Sequence, residues 1–252
     1  MSNYLKIMII SSLFSTVLAF GQTSEAVQSL YMIDCPTSAT LERGSFLTSL
    51  IAYNNGGLLG TIEVGITNRM MFGISYGGTN IIGTGPINWN PQVAVNIRYR
   101  IIDEQIGFPA IAIGYDGQGR GAYVDSLSRY IIKSKGLYAT ASKSFRFLGI
   151  LAFHGGLNYS FENKDKDKDI NMFAGVEKSI NEGLSLFAEY DLATNDNTGH
   201  SIGDGKGYLN AGLKWTFQGK LHIDFVWKNI LKNNKLYPYS GREIHLGYVE
   251  YF

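Results

Sequence analysis

The chain has 252 residues, a formal net charge of +1, 30 Gly, only 5 Pro and a single cysteine. A balance so close to zero gives no support to a basic nucleic-acid surface, and one cysteine excludes an intramolecular disulfide, leaving Cys35 to be read as a small buried hydrophobe. Aromatic content of 13 %, with 16 Tyr, 14 Phe and 3 Trp, fits many strands, tight turns and interfacial phenols better than a helical enzyme.

Residues 1–21 read as a signal peptide. Lys6 supplies a weak positive start and Ile7 to Phe20 an apolar run interrupted by Ser11, Ser12, Ser15 and Thr16. Ala19 and Gly21 offer the small residues for cleavage before Gln22. No other segment approaches ~20 apolar residues, the length a spanning helix needs. Cys35 follows Tyr31-Met32-Ile33-Asp34, which lacks the Leu-small-small pattern of a lipoprotein box. A membrane-embedded chain of this kind must close into a barrel, because no other β structure satisfies its backbone groups in lipid. Residues 22–44 lack clean periodicity and contain Pro36, Thr37, Ser38 and Arg43-Gly44. They are expected to form a periplasmic lead-in, or a plug folded into the lumen.

From residue 45 to residue 252 an apolar/polar alternation of period two predicts strands near 45–53, 58–67, 70–79, 92–102, 108–116, 137–145, 148–160, 170–180, 184–193, 208–217, 220–228 and 242–252. Repetition at about 10 residues, with aromatics near strand ends and charges on one face, is the pattern of a transmembrane barrel. An even count of about twelve puts both termini on the periplasmic side of an outer membrane. The connections agree. Those at Asn68-Arg69, 103–107, Arg146-Phe147, Asn181-Glu182-Gly183 and Gln218-Gly219 are short, and those at 80–91, 117–136, 161–169, 194–207 and 229–241 are long. Only Asn54-Asn55-Gly56-Gly57 is short among the latter. The fold class expected is therefore all-β, a single antiparallel up-and-down transmembrane barrel.

With the apolar set towards lipid, the lumen receives Glu63, Arg98, Arg100, Asp116, His154, Glu177, Glu189, Asp191, Lys214, His222, Asp224, Glu243 and His245. The lipid side receives Val93, Val95, Ile97, Tyr99 and Ile101 of one strand and Leu184, Leu186, Ala188, Tyr190 and Leu192 of another. A charge at the bilayer midplane costs ~2–4 kcal/mol, so segregation of the charges is what lipid exposure demands. Tyr53, Tyr76, Tyr99, Tyr115, Tyr159, Tyr190, Trp215, Trp227 and Tyr248 are expected to form interfacial girdles. A soluble sandwich or lipocalin-like barrel is the competing fold. Against it stand the sparse polar face and the very large core that Trp215, Trp227 and Phe252 would need. Mixed charges in a narrow twelve-strand bore are expected to pair across it and fill much of it.

No constellation points clearly to chemistry. His154, Asn158 and Ser160 share a strand face, but it is the lumen face and Ser160 lies far from His154, poor geometry for a barrel phospholipase. His222 and His245 could in principle share a metal, without spacing to support it. No cofactor and no metal is expected. Asp116-Gly117-Gln118-Gly119-Arg120-Gly121 resembles a dinucleotide loop but opens no periodic helix. It reads as an external loop folding inward to bring Arg120 near lumen carboxylates. The run 163–169, alternating Lys and Asp, reads as a solvated loop tip.

Phe108 to Asp116, Tyr130 to Lys135, Leu151 to Tyr159 and Leu184 to Asp191 resemble the YjbH-like outer-membrane proteins, over roughly residues 92–195. The resemblance implies a Gram-negative outer-membrane barrel associated with exopolysaccharide production or export, with polysaccharide-export partners, and brings no catalytic residues. The terminal Phe252 resembles the C-terminal aromatic by which the barrel-assembly machinery recognises its clients. Outer-membrane lipid and lipopolysaccharide are the expected surroundings. The expectation is a non-enzymatic barrel, structural or narrow-pore. A porin-like passive transporter for a small polar solute is the alternative, and a barrel hydrolase the third reading.

Overall fold

The computed structural model describes residues 29–252; the expected signal peptide and residues 22–28 lie outside the described residues. Its strands are β1 (Ser45–Tyr53), β2 (Gly57–Thr67), β3 (Met70–Thr79), β4 (Asn88–Trp89), β5 (Ala94–Ile102), β6 (Ala110–Asp116), β7 (Arg120–Val124), β8 (Arg129–Ile132), β9 (Gly136–Arg146), β10 (Ile150–Tyr159), β11 (Asn171–Ser179), β12 (Leu184–Asp191), β13 (Tyr208–Phe217), β14 (Leu221–Lys228) and β15 (Gly241–Tyr251). All but β4, β7 and β8 form a ring of twelve antiparallel strands. Neighbours in the ring follow chain order, and β1 pairs back onto β15 from Ser45↔Tyr251 to Ala52↔Ile244. Closure leaves the ring no exposed edge.

The alternation fixes which face points where. Ile62, Phe153, Leu157, Trp215, Phe225 and Trp227 face outward and are 47–56 % exposed, while Glu63, Asn96, Arg98, Asn158, Glu189 and Asn210 face inward and are 6 % exposed or less. Val93, Val95, Ile97, Tyr99 and Ile101 all lie on the outer surface. A water-soluble barrel has the opposite polarity, so the soluble reading is excluded and the outer belt is lipid-facing.

At one end the strands are joined by short turns, and the chain returns there on itself, with Phe252 N donating to Gly44 O (2.8 Å) and the Phe46 and Phe252 rings 5.2 Å apart. At the other end lie the long connections, together with the tight β1–β2 turn. In that turn Asn55 (φ 61°) and Gly56 (φ 59°) take left-handed conformations, which favour Asn and Gly. A Cβ on Gly56 would lie 1.9 Å from Ile82 O.

Two details differ from the sequence reading. Tyr53 does not join the outer girdle: β1 places it inward, where its hydroxyl donates to Gly78 O (2.9 Å). The long connections are also not irregular throughout. β4 extends the sheet beside β3, and β7 pairs with β8 as a hairpin at the barrel mouth.

Candidate functional site

The lumen contains a hairpin from its own chain. Residues from Ser29 run inward from the short-turn end, reverse at Ile33–Asp34–Cys35 and return to β1. Tyr31 and Pro36 form a β-bridge, Met32 N donates to Cys35 O (2.9 Å) and Thr37 N to Leu30 O (3.1 Å). The reversal aims three consecutive N–H groups one way, a concavity suited to an anion. The Glu189 carboxylate of β12 occupies it, accepting from Ile33, Asp34 and Cys35, each at 3.0 Å, and from Asn210 Nδ2 at 2.8 Å.

The side chains of the hairpin are held as well. The Asp34 carboxylate pairs with Lys228 and lies 3.6 Å from Arg120 Nε. Arg98 donates through Nη1 to Leu30 O (2.8 Å) and Ala39 O (2.7 Å), and through Nε to the Tyr138 hydroxyl (2.9 Å). Ser38 N donates to Ser142 Oγ (2.9 Å). Met32 and Ile33 pack with Phe187 and Val226 in a small buried apolar cluster. The hairpin is thus fixed by charge-assisted hydrogen bonds, the stronger kind, around a minor apolar contact.

Beside and below the hairpin the lumen is open. A cavity of about 1490 Å³ is lined by Glu63, Arg100, Asp116, His154, Glu177, Lys214, His222, Asp224 and His245, with Tyr31 and Ile33 of the hairpin. Ser29 sits where this wall meets the hairpin, donating to Glu177 Oε2 (2.7 Å) and accepting from Lys214 Nζ (2.6 Å). Tyr31 reaches up to Asp116 (3.1 Å). The remaining expected lumen residues lie apart from the cavity. Arg98 and Glu189 hold the hairpin, Asp191 pairs with Lys135 at the long-loop end, and Glu243 lies 3.0 Å from His245 Nε2.

The long connections form a buried polar cap. Arg129 binds Asp165 (2.7 Å) and Asp196, Lys133 binds Asp165 (2.8 Å) and the carbonyls of Asp167 and Asn195, and the Tyr208 hydroxyl donates to Asp196 (2.7 Å). The run 163–169 is therefore not a solvated tip. Asp165 and Asp167 point inward and are buried, while Lys164, Lys166 and Lys168 point out. Glu162 accepts from the backbone N–H of Tyr130 (3.1 Å) and Ser134 (3.3 Å), and burial pushes its carboxyl up to about 7. Over β1–β3 the cap thins to the strap 117–121. Gln118 bonds to Ser75 (3.2 Å) and, through its N–H, to Asp116 (2.9 Å).

The arrangement offers no assembled hydrolase. His154 Nδ1 lies 2.8 Å from Ser142 Oγ, whereas Ser160 Oγ accepts from Glu162 N (3.2 Å). His154 Nε2 has no hydrogen-bond partner among the described residues, so no carboxylate orients the ring. His222 is engaged by Thr216 (3.1 Å) and His245 by Glu243, so the two do not share a ligand. Among the described residues no group of three His, Cys, Asp or Glu side chains could hold a metal ion. Sequence periodicity pointed to the cavity wall. It gave no sign of Lys133, Lys135 and Arg129 as buried partners of loop carboxylates, because those pairs join segments far apart in the chain.

No protein-family model matches the chain, and no curated protein matches it. Among solved structures the chain is similar to the KdgM porin, with a TM-score of 0.51 and 8 % identity over 81 % of this chain and 98 % of that one. The KdgM porin in complex with disordered oligogalacturonate gives a TM-score of 0.52, with the same identity and coverage. The COG4313 outer membrane channel from Pseudomonas putida F1 aligns at a TM-score of 0.42 and 12 % identity, over 87 % of this chain and all (100 %) of that one. The likeness to the KdgM porin is one of fold: the chain is built as a closed, twelve-stranded outer-membrane β-barrel.

Proposed function

We propose that the protein is a porin-like channel of the outer membrane, passive and without enzymatic activity, that admits small polar solutes past a hairpin lodged in its own lumen. The observation that carries this reading is the cavity of about 1490 Å³, lined in part by charged side chains, inside an apolar outer wall. A purely structural barrel has no need of so large an internal space, and twelve strands leave room for a narrow passage at most. The termini then lie on the periplasmic side, the long connections face outward, and residues 29–44 act as the plug. Lipid and lipopolysaccharide surround the belt.

A saccharide-type cargo is supported by the YjbH-like resemblance of residues 92–195 and by the similarity to a porin solved with oligogalacturonate. It carries with it a place near exopolysaccharide production or export and its partners. The test is permeation. Purified protein in proteoliposomes is expected to admit small sugars at rates that fall steeply with solute size. Vesicles as tight as protein-free ones, with the barrel shown folded by heat-modifiable migration, would overturn the channel reading.

A further inference from the structure

Granting the channel reading, we infer that solute passes along the β1–β3 wall and that Arg120, on the strap 117–121, is both the gate and the charge filter of that passage. Two elements stand between the cavity and the long-loop end, and their attachments are unequal. The hairpin is held by Glu189 through three N–H groups, by Lys228 and by Arg98. The strap is held by the Gln118–Ser75 contact at 3.2 Å, the Arg120–Asp34 pair at 3.6 Å, one backbone bond from Gly117 N to Val95 O at 3.0 Å and the pairing of Arg120 with Ile132 at the start of the β7–β8 hairpin.

The strap is also one residue layer thick. Gln118 and Arg120 line the large cavity on one side and, on the other, a void of about 10 Å³ bounded by Tyr53, Leu59 and Glu243. Gly119 lies flat against Tyr130, where a Cβ would come within 2.4 Å of the tyrosine side chain. Lifting the strap parts Arg120 from Ile132 of β8 and from Asp34, and leaves the twelve-strand ladder and the Glu189 cradle in place.

The charges around it set the filter. Arg120 shares its surroundings with Asp116, Asp34 and Glu243, the last two also neighboured by Lys228, and its guanidinium lies 5.5 Å from the Tyr31 ring. Asp34 keeps Lys228 when Arg120 leaves. Asp116 then faces the passage without that counter-charge, and an acidic constriction admits cations.

The test uses the full-length protein in planar bilayers under a potassium chloride gradient, each variant first shown folded by heat-modifiable migration. Arg120→Gln is expected to raise conductance severalfold and to move the reversal potential towards cation preference. Arg120→Lys, which keeps the charge, retains the wild-type polarity. Unchanged conductance and reversal potential in Arg120→Gln overturns the proposal and leaves the channel reading standing. Absence of current in every variant removes the channel reading and this proposal with it.

Discussion

Arg129 and Asp196 meet as a two-pronged pair, Nη1 to Oδ1 at 2.5 Å and Nη2 to Oδ2 at 3.1 Å, with both side chains buried in the cap. The same guanidinium also holds Asp165. Removing one partner from a buried ionic cluster leaves charge without compensation, at a cost of about 3–5 kcal/mol. Arg129→Ala is expected to open the cap to protease cutting within 161–169 and 194–207 while the barrel stays folded. Arg129→Lys restores little, since a point charge cannot reproduce the fork. Digestion patterns of folded protein in vesicles check this.

The three N–H groups on Glu189 make Cys35 a reporter of the hairpin. Cys35 is buried, and burial pushes its thiol well above the usual range. In the wild type it is expected to resist a membrane-impermeant maleimide. Glu189→Ala strands three buried donors, at about 1–3 kcal/mol each, and is expected to make Cys35 label rapidly. Mass spectrometry after timed labelling gives the readout, and equal rates in both proteins would count against a hairpin fixed by this carboxylate.

Adjacent residues of β5 should respond in opposite ways. Ile97 faces lipid and Arg98 the lumen. Ile97→Arg is expected to lose ~2–4 kcal/mol of barrel stability, read by urea titration in vesicles. Arg98→Leu leaves the barrel closed but deprives Leu30 O and Ala39 O of their donor. Its expected effect is faster Cys35 labelling.

Glu162 gives the cap a pH dependence of definite sign. Its carboxyl lies at about 7 in the folded protein against an ordinary 4.5. The folded cap therefore holds its proton after the opened chain has released it. Stability is full below about 4.5, declines as pH rises to about 7, and then levels off. Amide exchange protection at Tyr130 and Ser134, corrected for intrinsic rates, is expected to fall by roughly a power of ten or more across that window. Glu162→Gln, which still offers an acceptor oxygen, should flatten the curve.

The barrel was legible because lipid and lumen impose a strict period of two, and turns such as Asn54-Asn55-Gly56-Gly57 mark where it restarts. Arg98, Glu189 and Asp224 could be assigned to the wall from parity alone. The inward bend of residues 116–121 was legible from glycine content and Arg120. Parity failed at Tyr53, on the least regular strand, because β1 carries apolar residues on both faces: Leu47 and Ile51 line the cavity on the same face as Tyr53, while Leu50 faces out. The cap failed for a different reason. Alternating Lys and Asp in 163–169 looks solvated until Arg129 and Lys133, more than thirty residues earlier, are brought over it. No local pattern carries that information, and none announced that residues 31–36 would present a donor array to Glu189.

The lodged hairpin bears on how the molecule is made. Its tip contacts lie 155 and 194 positions downstream, at Glu189 and Lys228, while its stem leads directly into β1, the strand that waits for β15. Every other link of the ring joins successive barrel strands. The hairpin's seat therefore exists only once β12 and β14 both stand in the wall, so an N-terminal segment waits for the last third of the chain before it can settle, and a chain stopped short of β12 has no seat for it.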